Sequence, residues 1–277
     1  MKKFIKWTAI VLGGLFVLVA ITGLVLYPIG MKKINQTYPN LAIESVNMST
    51  DADAVSHGKH VSIIWACTKC HGEDLSGKMI TTDPLSGMVP LLGTISVPNL
   101  TSGKGGIASS YTDIDWIRAI RHGIMPESTG EILMLNYSTM SDKDLGDLIA
   151  YLKQIPAVDT NYPETSDGPI LPIVAAVGLL PPAAEKIDHT APRPVVPTPG
   201  ATAEYGRYLS AICTACHGNG IGSVVKNWKQ DEFVHTFQYG VLPDGKPFGP
   251  TMSSYTFREM TDTELTALWL YFTSGKP

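Results

Sequence analysis

The 277-residue chain lacks a strong charge of either sign: 21 Lys and Arg against 25 Asp and Glu leave a net charge of −4. No basic field covers the molecule, which excludes nucleic acid as a partner held by overall charge and leaves only local patches to guide encounters. Cysteine is scarce as well, with four in the whole chain. A disulfide framework of the kind that staples far smaller secreted domains is therefore not expected. Beyond the N-terminus no apolar run is long enough to cross a membrane. Disorder is excluded by an apolar content of 44%, so the 20 prolines and 26 glycines point to long ordered loops or a linker.

What is present is concentrated. The four cysteines form two pairs, each followed by histidine: Cys67-Thr-Lys-Cys70-His71 and Cys213-Thr-Ala-Cys216-His217. Four-cysteine zinc sites, redox dithiols and disulfides also use such pairs, but zinc does not need the trailing histidines, and neither pair sits near the βαβ pattern of a dithiol oxidoreductase. Cys-x-x-Cys-His is the attachment pattern of c-type haem, whose vinyl groups take the two thiols while the adjacent imidazole meets the iron. Two covalently bound haem c groups are expected, held by Cys67, Cys70 and His71 and by Cys213, Cys216 and His217.

Thr8 to Tyr27 is twenty residues without a charge, the length of a membrane-crossing helix. The run leaves through Leu24-Val25-Leu26-Tyr27-Pro28 with no small-x-small exit, so it reads as an uncleaved anchor over residues 1–30. Lys2, Lys3 and Lys6 before it and Lys32 and Lys33 after it favour a cytoplasmic N-terminus only slightly.

Aligned on the haem motifs, the remainder repeats. Ser56-His57-Gly58-Lys59-His60 stands opposite Glu204-Tyr205-Gly206-Arg207-Tyr208, each entering its motif. Ser141-x-x-Asp144 and Thr261-x-x-Glu264 are matching helix caps, followed by apolar stripes at Leu145, Leu148, Ile149 and Leu152 and at Leu265, Leu268, Trp269 and Phe272. A middle helix is expected over Thr112–Gly123 and again over about Gln230–Gly240. The stretch through Asp83-Pro84 and Val97-Pro98-Asn99-Leu100-Thr101 reads as a long loop rather than sheet. Residues 155–200 hold ten of the prolines and read as a stiff, extended linker, with the apolar run Ile170 to Leu180 packed on a domain surface.

This order of helix, Cys-x-x-Cys-His, loop, helix, Met loop and helix resembles the class I cytochrome c family, over residues from about Asp51 to the C-terminus. The resemblance implies a mainly α fold of two tandem cytochrome c domains, at 31–154 and 201–277. It also implies first and last helices crossing at Gly58 with Tyr151 and at Gly206 with Tyr271, and haem attachment on the extracytoplasmic, periplasmic side. Pro-Asn-Leu-Thr at 98–101 with Asp-Trp-Ile-Arg-Ala-Ile-Arg-His-Gly after it is similar to the cytochrome c subunits of membrane alcohol and sugar dehydrogenases.

Methionine is the expected sixth ligand because a soft thioether stabilises ferrous iron. The repeat offers two aligned pairs, Met134 with Met252 and Met140 with Met260. In the family the ligand lies well before the aromatic of the last helix, which the first pair fits better; Met140 and Met260 stand at the staple position before the caps. Met125 aligns with Leu242 and reads as packing. His57, His60, His122, His189 and His235 read as surface or capping residues. Trp116, Arg118, Arg121 and Trp228 are candidates to face haem propionates, and the Pro98 carbonyl to accept the His71 ring proton.

With both irons six-coordinate, the expected role is electron transfer without substrate turnover. Electrons would pass from a membrane or periplasmic donor, such as a quinol-oxidising complex or a dehydrogenase, to redox partner proteins and a terminal acceptor such as an oxidase. A relay subunit of a larger respiratory complex uses the same chemistry. A dihaem peroxidase or thiosulfate-oxidising cytochrome, with one open iron, is the enzymatic alternative. Replacing Cys213 and Cys216 by Ala is expected to halve the pyridine haemochrome signal per chain; retention of the full signal would refute the second attachment site.

Overall fold

The computed structural model describes residues 2–79, 89–130, 134–163, 165–218, 220–249, 252 and 254–275. The side chains of Cys216, Val89, Pro90, Ala215, Ser254 and Tyr255 lie outside that description, as do Asp83 and Pro84 of the long loop. The chain opens with α1 (Lys2–Ile34), then α2 (Ala52–Ile64), α3 (Cys67–His71), β1 (Lys78–Met79), α4 (Val89–Leu92), β2 (Gly93–Thr94) and β3 (Ser96–Val97). It continues through α5 (Asp113–His122), α6 (Asp142–Leu152), β4 (Ser166–Asp167) and α7 (Leu171–Ala176) to a 3-10 turn at Ala183–Lys186. The last third is α8 (Ala203–Leu209), α9 (Ala211–His217), α10 (Ile221–Val225), α11 (Gln230–Tyr239), α12 (Ser254–Arg258) and α13 (Asp262–Thr273).

The fold is mainly helical. α1 is long and apolar enough to cross a membrane, and it runs through Pro28 to Ile34, beyond the expected end at residue 30. The caps form where the sequence puts them. Ser141 accepts from Asp144 N, and Thr112 and Thr261 make reciprocal boxes with Asp115 and Glu264. α5 and α11 stop at Gly123 and Gly240, whose φ of 61° and 70° only glycine adopts without strain.

α2 packs on α6 and α8 on α13. A Cβ on Gly58 would lie 1.9 Å from the Asp147 carbonyl oxygen and 2.9 Å from Tyr151 Cβ. At Gly206 it would lie 1.9 Å from the Ala267 carbonyl oxygen and 2.9 Å from Leu268 N. Both crossings are thus backbone on backbone. One buried apolar cluster runs from Val61, Ile64, Trp65 and Leu148 to Tyr205, Leu209, Phe233 and Leu268.

Two expectations are corrected. The stretch after α3 is not all loop: β1 pairs with β3, and β2 pairs with β4, each an antiparallel two-residue ladder. Short ladders form there because the chain doubles back on itself, satisfying backbone groups that a free loop would leave to water. Residues 155–200 are not extended throughout either. They contain β4, α7 and the 3-10 turn, and α7 packs on α1 as well as on the domain, where Leu171 is buried with Leu92.

A reciprocal pair of polar contacts ties the two helix pairs together. His60 on α2 meets the capping carboxylate Glu264 of α13 at 2.9 Å, while Tyr208 on α8 donates to the carboxylate of Asp144, in the first turn of α6. The Tyr208 hydroxyl also accepts from Ser141 N at 3.0 Å. The Glu264 hydrogen bond holds His60 above its ordinary value. Burial raises Glu264, but the His60 contact and the Thr261 cap outweigh it and leave the carboxyl lowered. The raised His60 stabilises the fold fully below the unfolded histidine value of 6.5, and that stability is lost as pH rises through the folded value. The lowered Glu264 contributes above 4.5 and is lost as pH falls through its folded value. The contact is therefore strongest from about pH 4.5 to 6.5. Thermal unfolding of His60→Gln against the unmutated protein is expected to show a deficit on the order of 1 kcal/mol in that window, small because the pair is partly solvated, and shrinking toward pH 8.

Candidate functional site

The site is built on α3, a single helical turn that sets Cys67, Cys70 and His71 on one wall of an apolar cavity. Ala66 turns the chain into it with φ 61°, and Gly72 and Gly77 turn it out with φ 85° and 83°. At Gly77 a Cβ would lie 2.6 Å from the Val97 carbonyl oxygen, so the loop after α3 closes tightly on residues 97–99. The cavity is also lined by Trp116 and Ile120 of α5, by Met125, Met134, Leu135, Tyr137 and Met140 between α5 and α6, and by Leu148 and Leu152 of α6.

His71 Nδ1 lies 2.8 Å from the Pro98 carbonyl oxygen. A carbonyl can only accept, so Nδ1 carries the proton and Nε2 keeps its lone pair. Burial pushes the imidazole down to about 4, which keeps it neutral and ready to ligate. Burial likewise pushes the Cys67 thiol up to about 12.

Pro98 is held by its neighbours. The buried Asn99 donates from Nδ2 to the Val158 carbonyl at 2.7 Å and accepts from Thr101 N at 2.8 Å. Thr101 Oγ1 accepts from Val158 N at 3.0 Å. The Pro-Asn-Leu-Thr segment is therefore a clamp on the chain leaving α6, and Leu100 within it lines the cavity.

Trp116 is buried, and its indole Nε1 has no hydrogen-bond partner among the described residues. A buried donor of this kind costs about 1–3 kcal/mol unless something accepts from it. The two arginines do not join it. Arg118 pairs with Asp115 at 3.3 Å, and Arg121 pairs with Asp142 at 2.6 Å and donates to the Met140 carbonyl at 3.0 Å. Each pairs with a carboxylate in the first turn of a helix, Asp115 in α5 and Asp142 in α6. Trp228 packs on Phe233, and its carbonyl accepts from Trp269 Nε1.

Of the methionines, the structure brings Met134 and Met140 to the cavity and adds Met125, which sequence alignment set aside as packing. In the second repeat, Cys213 is buried, His217 is exposed at the end of α9, Met252 is half-buried against the core, and Met260 is buried. His122 is buried, not superficial, with Nδ1 3.0 Å from Nδ1 of His189, and burial lowers it to about 4. His57 pairs with Asp147 at 2.7 Å, and His235 packs on Tyr239.

The family model for cytochrome c matches residues 55–156, from α2 to just past α6. The chain carries a cytochrome c domain. For residues 55–156 that family implies covalently bound haem c and supports electron transfer. The cavity fits that group: two thiols and a neutral imidazole lie on one wall, apolar side chains surround them, and an unpaired indole donor suits a carboxylate. The chain is also similar to the fructose dehydrogenase cytochrome subunit of Gluconobacter japonicus, 22% identical over 275 residues, covering 83% of this chain. It spans about half, 54%, of that relative's length.

Trp116→Phe is expected to lower the stability of the haem-loaded domain by about 1.5–3 kcal/mol, the worth of a hydrogen bond to a charged group, measured by denaturant unfolding. A change within error would show that no acceptor meets Nε1.

Proposed function

We propose that the chain is a membrane-anchored dihaem electron carrier. Residues 1–30 are the anchor, 31–154 and 201–277 are two class I cytochrome c domains, and 155–200 joins them. The observation that carries this reading is the His71–Pro98 contact of 2.8 Å on the wall that also bears Cys67 and Cys70. It leaves a single neutral nitrogen lone pair for iron on a surface able to take both thioethers. The second domain is supported by the repeated glycine crossing at Gly206 and by the same cap and helix order around Cys213, Cys216 and His217.

Haem c, when bound, would supply a one-electron couple between ferric and ferrous iron. The protein's own part is to hold and insulate it. Cys67, Cys70 and His71 would fix one haem, with Met134 as sixth ligand; Cys213, Cys216, His217 and Met252 would fix the other. Met140 and Met260 are the second choice, since both are buried before the caps of α6 and α13, where they already fill the core. Trp65 packs edge-on to Tyr208, with ring centroids 5.6 Å apart, so the two attachment segments are joined through aromatic contact.

The body lies on the extracytoplasmic side, tethered where redox partners are concentrated. Similarity to a dehydrogenase cytochrome subunit supports service as the relay subunit of a larger complex, passing electrons from a dehydrogenase or quinol-oxidising donor to an acceptor such as an oxidase.

Met134→Ala and Met252→Ala are each expected to remove about half of the weak red-end ferric charge-transfer absorption and to lower the potential of one haem. Met140→Ala and Met260→Ala are expected to keep it and to cost about 2–5 kcal/mol of stability as buried truncations. An unmutated ferric protein that is high-spin at one iron and binds cyanide rapidly would favour the open-site enzyme instead.

A further inference from the structure

From Gly168 to Ala184 the chain carries no charge, and this stretch is absorbed only in part by the core. α7 crosses α1 so closely that a Cβ on Gly30 would lie 1.7 Å from the Pro172 carbonyl oxygen. Ile173 Cδ1 comes within 4.0 Å of the corresponding point at Gly23. Gly23 precedes Gly30 by two turns, about 10 Å along the axis. It also lies inside the Thr8–Tyr27 run that the anchor reading places in hydrocarbon.

Directly after α7, Val177 and Leu179 are 52% and 73% exposed. The turn between them passes through Gly178 at φ 76°, where a Cβ would point into open space. The polar boundary is marked by the Lys33–Glu185 ion pair at 2.7 Å. The other side of α7 belongs to the domain: Leu171 is buried with Ile34, Leu92 and Ala175 and also lines the haem cavity.

We propose that residues 170–180 are a second, shallow membrane contact, in which Ile173, Val177 and Leu179 enter the acyl boundary of the leaflet beside α1. This rests on the anchor reading. Apolar side chains exposed at that depth are solvated by lipid rather than water, and together with the tether they make a two-point attachment. A single helix leaves the body free to swivel. Two contacts fix the domain's orientation and turn the Leu171 wall of its cavity toward the bilayer.

The test uses full-length, haem-loaded protein in phosphatidylcholine vesicles. With the native cysteines held as thioethers, Leu179→Cys presents a maleimide-reactive thiol for a benzophenone probe, and irradiation followed by mass spectrometry reads phospholipid adducts. Val19→Cys within the anchor and Val195→Cys, at a position 87% exposed, are the comparators. Lipid adducts at 179 and 19 but not at 195 support the proposal. Adducts at 19 without any at 179, or equal yields at 179 and 195, overturn it and leave the anchor standing. Absence of adducts at both 19 and 179 overturns the anchor reading and this proposal with it.

Discussion

The close crossing of the first and last helices is the constraint on which the remaining architecture depends. At Gly58 and Gly206 the main chains approach until a single methyl group would overlap a carbonyl oxygen, so each helix pair has one angle and one register available. That register decides which residues of α2 and α6 turn inward. It sets Leu148 and Leu152 on the cavity and Trp65 at the head of the attachment turn. The crossing also leaves no room for a swollen side chain to act as a hinge.

From that crossing the cavity is assembled by loops, and the loops are held by backbone bonds. Asn99 and Thr101 bind the strand-like segment at Val158, which leaves α6 in a direction the crossing has already set. Pro98 is thereby aimed at His71 from 27 residues away. A ligand ring oriented by a backbone carbonyl keeps its tautomer regardless of side-chain motion, which suits an iron ligand that must be the same in both oxidation states.

The two helix pairs meet through groups that already have another duty. Asp144 and Glu264 are the third residues of capped helices, and each accepts as well from a ring on the opposite first helix, Tyr208 and His60. A carboxylate at a helix N-terminus is stabilised by the free backbone donors there, so it can be buried at an interface where an isolated charge would be too costly. At Glu264 helix capping and the association of the halves are thus coupled through one carboxylate, while at α6 the Tyr208 hydroxyl binds both Asp144 and the Ser141 N–H.

The sequence by itself determined the features that depend on neighbours along the chain. The Cys-x-x-Cys-His turns, the caps at Ser141 and Thr261, the glycine stops at Gly123 and Gly240 and the apolar stripes of α6 and α13 all follow from spacing over one or two turns. The crossing glycines were legible because the family pattern repeats. Only tertiary structure decided what depends on groups far apart in the chain. It sent Arg118 and Arg121 to carboxylates in the first turns of α5 and α6, left Trp116 Nε1 without a partner among the described residues, and added Met125 to the cavity. It paired His60 with Glu264, 204 residues away, and laid α7 against the N-terminal helix. Periodicity reports which face of an element is apolar, but the counter-charge or helix that meets a face is chosen by the three-dimensional approach of distant segments, for which local spacing holds no record.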